Sequence, residues 1–268
     1  MRTLKPLLLA AIVAVTIYAC STVPLTGRSQ LSLVSDDQIN PAAAASYKEL
    51  LSDPKTVVVN NGADAQRVKR IGQQLAVAIE QYLNANGYAN QYSFQWEFNL
   101  IKSDEINAWC MPGGKVAVYS GLLPVAQTDA GLAVVMGHEI GHAIARHSAE
   151  RMSQQLALQA GGTAVGAATG NKSAATQAVI GQLYGVGGQL ALLKYSRAQE
   201  SEADRLGLTF MAMAGYDPRQ AVAFWQRMAG QNKGGTPPEF LSTHPSDATR
   251  IANMQKLIPE ALKYYKGK

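Results

Sequence analysis

A chain of 268 residues with 47% hydrophobic and 16% charged residues can bury a full core in one domain, which excludes an intrinsically disordered polypeptide. The formal net charge is +5; without Arg2 and Lys5, which lie in a segment expected to be removed, 22 basic residues face 19 acidic ones. That excess is too weak to imply a nucleic-acid partner.

The chain opens MRTLKPLLLAAIVAVTIYAC, with a short basic start, an apolar run and small Ala19 before Cys20. Residues 1–19 therefore read as an export signal. An uncleaved anchor helix is the alternative, although the run is short for a bilayer span. The ending IYAC resembles a bacterial lipobox, which implies lipidation of Cys20; Tyr18 is larger than the residue usual there. Ser21 in place of Asp implies sorting to the outer membrane, with the domain facing the periplasm. Cys110 is then the only other cysteine, so no internal disulfide is expected in the mature chain. Cys110 is expected to be buried, with an intermolecular bridge or a nucleophile as its alternatives.

Residues 20–40 are polar, contain Pro and Gly, and read as a lipidated tether; the folded domain is expected over 41–268, starting near Pro41. Val68, Ile71, Leu75, Val77, Ala78 and Tyr82 recur at helical spacing across 65–86, followed by the turn signal NANGYANQ. Phe94, Trp96 and Phe98 alternate with polar neighbours as in a half-buried strand, and KVAVYS after MPGG reads as a second strand. From a cap at Thr128 or Asp129 the pattern is helical to about Gln159. Residues 160–192 are rich in Gly and Ala and read as a packed or mobile hairpin near the site, or as a membrane contact. A helix begins at Ser196 with a capping-box pattern and ends near Gly215. Another restarts at Asp217 and Pro218, and the last follows His244, Pro245 and Ser246.

The stretch VVMGHEIGHAIARH lies on the helix that starts near Thr128. At about 100° per residue, His138 and His142 fall within about 40° of each other and can hold one ion. The pattern HExxH implies zinc, with Glu139 polarising a bound water and moving its proton to the leaving amine. Chance produces the pattern in on the order of one chain in a hundred of this length, so the motif needs corroboration. Its apolar flanks supply some, because two histidines and a carboxylate are costly to bury without a partner.

The third ligand must come from elsewhere. His147, nine residues after His138 and about 180° round the helix, faces away and is expected on the surface. The metzincin pattern is excluded, since Ser148 stands where its third histidine belongs. In YSRAQESEADRLG, Glu200 and Asp204 share a helix face, with Glu202 about 160° away. Glu200 is the candidate ligand, and Asp204 sits where it can accept a hydrogen bond from a ligand histidine. An exposed acidic first turn is the alternative for this stretch alone.

HEIGHAIARH, SRAQESEAD and STHPSDATRI, in that order, resemble the zinc metallopeptidases of family forty-eight, which include HtpX and the CaaX prenyl proteases. The likeness runs over roughly residues 60–260. It implies a mainly helical α+β gluzincin domain with a small β-sheet and one Zn2+ per chain, bound by His138, His142 and Glu200. It also implies that Asp204 supports the ligands, that Arg250 pairs with an acidic residue of the site, and that His244 stabilises the oxyanion. From sequence alone His244 can equally begin a helix. The chain looks like an exported lipoprotein branch of the family, with polypeptide substrates and a role in membrane protein quality control. Residues 105–121 look like the family's hairpin, whose edge receives an extended peptide near Asn107 and Ala108, or they form an ordinary sheet edge. The rival function is a chaperone-like or binding lipoprotein with a structural or latent metal site.

Overall fold

The computed structural model describes residues 20–162, 195–231, 239–244 and 248–267. The export signal, residues 1–19, and most of the 160–192 segment fall outside them.

Residues 20–35 are not a loose tether. β1 (Cys20–Thr22) pairs antiparallel with β2 (Ser29–Leu31), and Val23 and Val34 are buried in two different parts of the core. Three apolar side chains, Val23, Leu25 and Val34, draw this polar-looking segment onto the domain. α1 (Asp36–Ser52) then starts before Pro41, which lies in its second turn.

β3 (Val58–Val59) leads into α2 (Ala63–Ala85), whose Val68, Ile71, Leu75 and Ile79 form the buried stripe. Val77, expected on that stripe, is 54% exposed. β4 (Glu97–Ile101), β5 (Ala108–Met111) and β6 (Lys115–Tyr119) complete a four-stranded sheet of order β3-β4-β6-β5. β4 and β6 are parallel, and β5 and β6 form a hairpin. Its turn uses Gly113 and Gly114 at positive φ, where a Cβ would be strained. Both faces of the sheet are covered. Val116 and Val118 face the main core, while Ala117 and Met111 join α1 in the second cluster. Phe94 and Trp96 lie before β4 rather than in it, their rings stacked 4.4 Å apart.

After the short helix α3 (Leu123–Ala126) comes α4 (Asp129–Ile144), whose Thr128 side chain accepts the Gly131 N–H. The helix expected to run to Gln159 breaks here. Arg146 takes φ 52°, and α5 (His147–Gly162) starts afresh. A left-handed residue costs roughly 1–2 kcal/mol, and nothing local invites it. Tertiary contacts offset the cost: Arg146 pairs with Asp36 at 2.7 Å, donates to the Gln91 carbonyl and lies 4.2 Å over the Tyr92 ring.

α6 (Arg197–Met213) is capped by Ser196 and packs directly on α4, followed by α7 (Gln220–Ala229), α8 (Glu239–Thr243) and α9 (Ala248–Ala261). The α4–α6 approach depends on three glycines. A Cβ on Gly207 would stand 2.7 Å from the His138 nitrogen, and one on Gly141 would stand 2.8 Å from the Ala203 carbonyl oxygen. Gly137 faces Gly207 across the same seam. Among the described residues no helix is long and apolar enough to cross a membrane.

Candidate metal centre

The glycine seam brings two polar stripes together inside an apolar core. His138 and His142 come from α4, Glu200 from the first turn of α6, and His244 from the residue after α8; all four are buried. His138 Nε2 and His142 Nε2 are 3.1 Å apart, and each lies 3.5 Å from a Glu200 oxygen. His244 Nδ1 is 2.8 Å from Glu200 Oε1 and 3.3 Å from His138 Nε2. Ligands about 2.1 Å from a tetrahedral ion stand about 3.4 Å from one another, so this donor set fits zinc. Glu139 Oε1 is buried without a hydrogen-bond partner, as expected where an ion and its water belong. Glu200 Oε2 faces Arg250 Nη1 at 3.0 Å, an ion pair inside the core.

The charges around the cluster are ordered by what surrounds them. Burial works against an ionised Glu200, but hydrogen bonds from His138, His142 and His244 hold it far below the usual carboxylate range. Asp204 is likewise held low against its burial by Arg250 and His138. Its Oδ1 lies 2.9 Å from His138 Nδ1, and Arg250 donates to both of its oxygens at 2.8 and 2.9 Å. Arg250 also lies 3.6 Å over the Trp225 ring. Burial pushes the Glu139 carboxyl up to about 7; His244 opposes that and the Glu200 charge adds to it. His142 falls well below the usual histidine value, chiefly through burial.

Asn107 and Ala108 are buried on the sheet edge, with Asn107 Oδ1 accepting from the Ala108 N–H at 2.9 Å. The Tyr119 N–H donates to the Asn107 carbonyl, so the alternation turns the Ala108 carbonyl and the main-chain groups of Cys110 away from β6, on an edge of β5 that pairs with no other strand among the described residues. Cys110, half-buried, carries a thiol whose pKa is pushed up by burial first and then by the charge of Glu139, and its strand packs against α4.

Reasoning from spacing missed three groups. His147 is fully buried rather than on the surface, because the break at Arg146 turns it inward. Its Nδ1 is 2.8 Å from His142 Nδ1, and its Nε2 is 2.9 Å from Glu202. Glu202 lies off the ligand face, as its spacing requires, and is held low by His147, Thr26 and Arg28 in spite of its burial. Tyr195 stacks on His142 with ring centroids 3.9 Å apart. The only local signal for Tyr195 was its place one residue before the cap of α6.

Residues 63–258 match the sequence profile of Peptidase family M48. The chain is 31% identical over 247 residues to the Mitochondrial metalloendopeptidase OMA1 of Schizosaccharomyces pombe, covering 89% of this chain and 66% of that one. It is 35% identical over 178 residues to the Saccharomyces cerevisiae protein of the same name, covering 64% of this chain and 49% of the relative. To the Beta-barrel assembly-enhancing protease of Escherichia coli K12 it is 34% identical over 186 residues, covering 65% and 38% respectively. The chain thus spans between about a third and two thirds of the length of these relatives. With the profile matched across α2 to α9 and the donor set assembled inside it, the chain belongs to peptidase family M48.

Proposed function

We propose that the chain is a zinc-dependent endopeptidase, on the strength of one observation: a buried His138, His142 and Glu200 donor set with the buried Glu139 beside it, its Oε1 making no hydrogen bond and lying 3.6 Å from His244 Nε2. Bound zinc would supply a Lewis acid that acidifies a water molecule and polarises the scissile carbonyl. Glu139, with a pKa raised to about 7, suits a group that takes a proton from water and returns it to the leaving amine. Asp204 holds His138 by its Nδ1 and is itself clamped by Arg250. The open edge of β5 offers main-chain partners to an extended polypeptide beside Asn107 and Ala108, which asks little of substrate sequence. Unfolded or misfolded proteins of the bacterial envelope are the substrate class we infer. Lipidation at Cys20 would hold the enzyme to a membrane, with the outer membrane facing the periplasm as its place. The Escherichia coli relative's name makes β-barrel assembly one process in which such a protease would act.

A second reading concerns His244. Its Nδ1 stands among the donors, whereas an oxyanion donor would stand off them, so His244 as a fourth ligand would close the site. The test is casein cleavage by the purified chain with and without chelator, beside Glu139→Gln and His244→Ala. Cleavage is expected to stop with chelator and with Glu139→Gln. Faster cleavage by His244→Ala would establish the closed state, and slower cleavage the oxyanion role. Activity that survives both chelator and Glu139→Gln would refute the enzyme reading.

A further inference from the structure

We propose that His147, Glu202, Thr26 and Arg28 form a positioning relay that fixes His142 in its metal-binding tautomer, which makes the segment after Cys20 a part of the metal centre. The inference rests on the zinc reading above and extends it to the N-terminal residues.

The protons available to the two rings decide which nitrogen each one sits on. His142 presents Nε2 to His138 Nε2 and Glu200, and Nδ1 to His147 Nδ1 at 2.8 Å. Two ring nitrogens at that distance share one proton. His147 Nε2 faces Glu202 Oε2 at 2.9 Å, and a carboxylate only accepts. The single proton of neutral His147 therefore sits on Nε2, and its Nδ1 is left to accept. His142 must donate from Nδ1, which leaves the lone pair of Nε2 aimed at the donor cluster.

Glu202 is fixed from the other side by residues far away in sequence. Thr26 Oγ1 donates to Oε1 at 2.5 Å and Arg28 Nε donates to Oε2 at 2.6 Å. The Arg28 fork also reaches Glu150 at 2.7 and 3.0 Å, and Gln30 at 3.1 Å. Glu150 in turn accepts from Gln199, the neighbour of Glu200 on α6. Arg28 thus neutralises two buried carboxylates that would otherwise repel each other beside a ligand histidine. His138 is held locally, by Asp204 four residues from Glu200. His142 is held through the N-terminal hairpin.

The full chain, purified in detergent and stripped of metal, is titrated with zinc against a chromophoric chelator, and unfolding of the metal-free protein is followed by circular dichroism. His147→Leu is expected to weaken zinc binding ten- to a hundredfold, and Arg28→Met about tenfold. His147→Gln, whose amide accepts from His142 and donates to Glu202, is expected to recover affinity to within about threefold. Arg28→Met added to His147→Leu should cost nothing further, since both act through the same Nδ1 proton. The visible spectrum of the cobalt-substituted protein should change with His147→Leu and return with His147→Gln. If His147→Leu does not fold without metal, Arg28→Met and Thr26→Val, at partly exposed positions, carry the decision. Unchanged zinc affinity in these variants, or full multiplication of the two losses, would overturn the relay. A parent chain that takes up no zinc would instead overturn the metal reading.

Discussion

Replacing Gly207 with alanine is the sharpest probe of how the two helices build the site. The added Cβ would stand 2.7 Å from the His138 nitrogen, 2.9 Å from the Gly137 carbonyl carbon and 3.0 Å from its oxygen. All three are backbone atoms, so no side chain can swing aside. Ordinary contact begins near 3.4 Å, so α4 and α6 must part by about 0.7 Å. Overpacking of this kind costs about 1–3 kcal/mol. In a chain of this size 2 kcal/mol lowers Tm by about 4–8 °C. The centre suffers more than the fold, because ligand distances tolerate only about ±0.2 Å while Glu200 and the two histidines ride on opposite helices. Zinc affinity is expected to fall by a factor of ten or more. The assay pairs zinc titration with thermal unfolding of the metal-free protein, using Gly230→Ala as a control away from the seam. Unchanged zinc affinity with an unchanged Tm would refute the close-approach argument.

Other expectations follow from the same geometry. Asp129 is held low against its burial by Arg70 and Arg67, so its contribution to stability is complete above the ordinary aspartate value and is lost as pH falls through the depressed one. Asp129→Asn should therefore lower Tm at neutral pH, and the difference from the parent should vanish in strong acid. Arg146→Gly and Arg146→Ala both lose Asp36 and Tyr92, but glycine relieves the positive φ. Urea unfolding should find the glycine variant about 1 kcal/mol more stable than the alanine one, and equal stabilities would show that the backbone there carries no strain. Asp204→Asn keeps the shape of the site but removes the charge that clamps Arg250 and His138. Zinc affinity should drop about tenfold or more, as read by metal analysis after dialysis.

The two halves of the site were legible because each is local. His138, Glu139 and His142 sit on one helix, as do Glu200 and Asp204, and helical spacing assigns their faces without knowledge of the rest. His147 was not legible, because its position depends on a helix break that no Gly or Pro announces and that Arg146 makes through Asp36, Gln91 and Tyr92. The N-terminal segment failed for a similar reason. Its polar composition reads as a linker until Arg28 is seen between Glu150 and Glu202, partners 122 and 174 residues away. Val77 matched the period of α2 but fell at the margin of the buried stripe.

The hairpin that begins at Cys20 also sets a leash. Arg28 lies eight positions after Cys20, so a fully extended chain could span no more than about 30 Å, and pairing of Cys20 with Leu31 shortens even that. If Cys20 is held at a bilayer, the catalytic domain cannot roam the compartment. Its encounters would then become two-dimensional, confined to a layer about one protein deep.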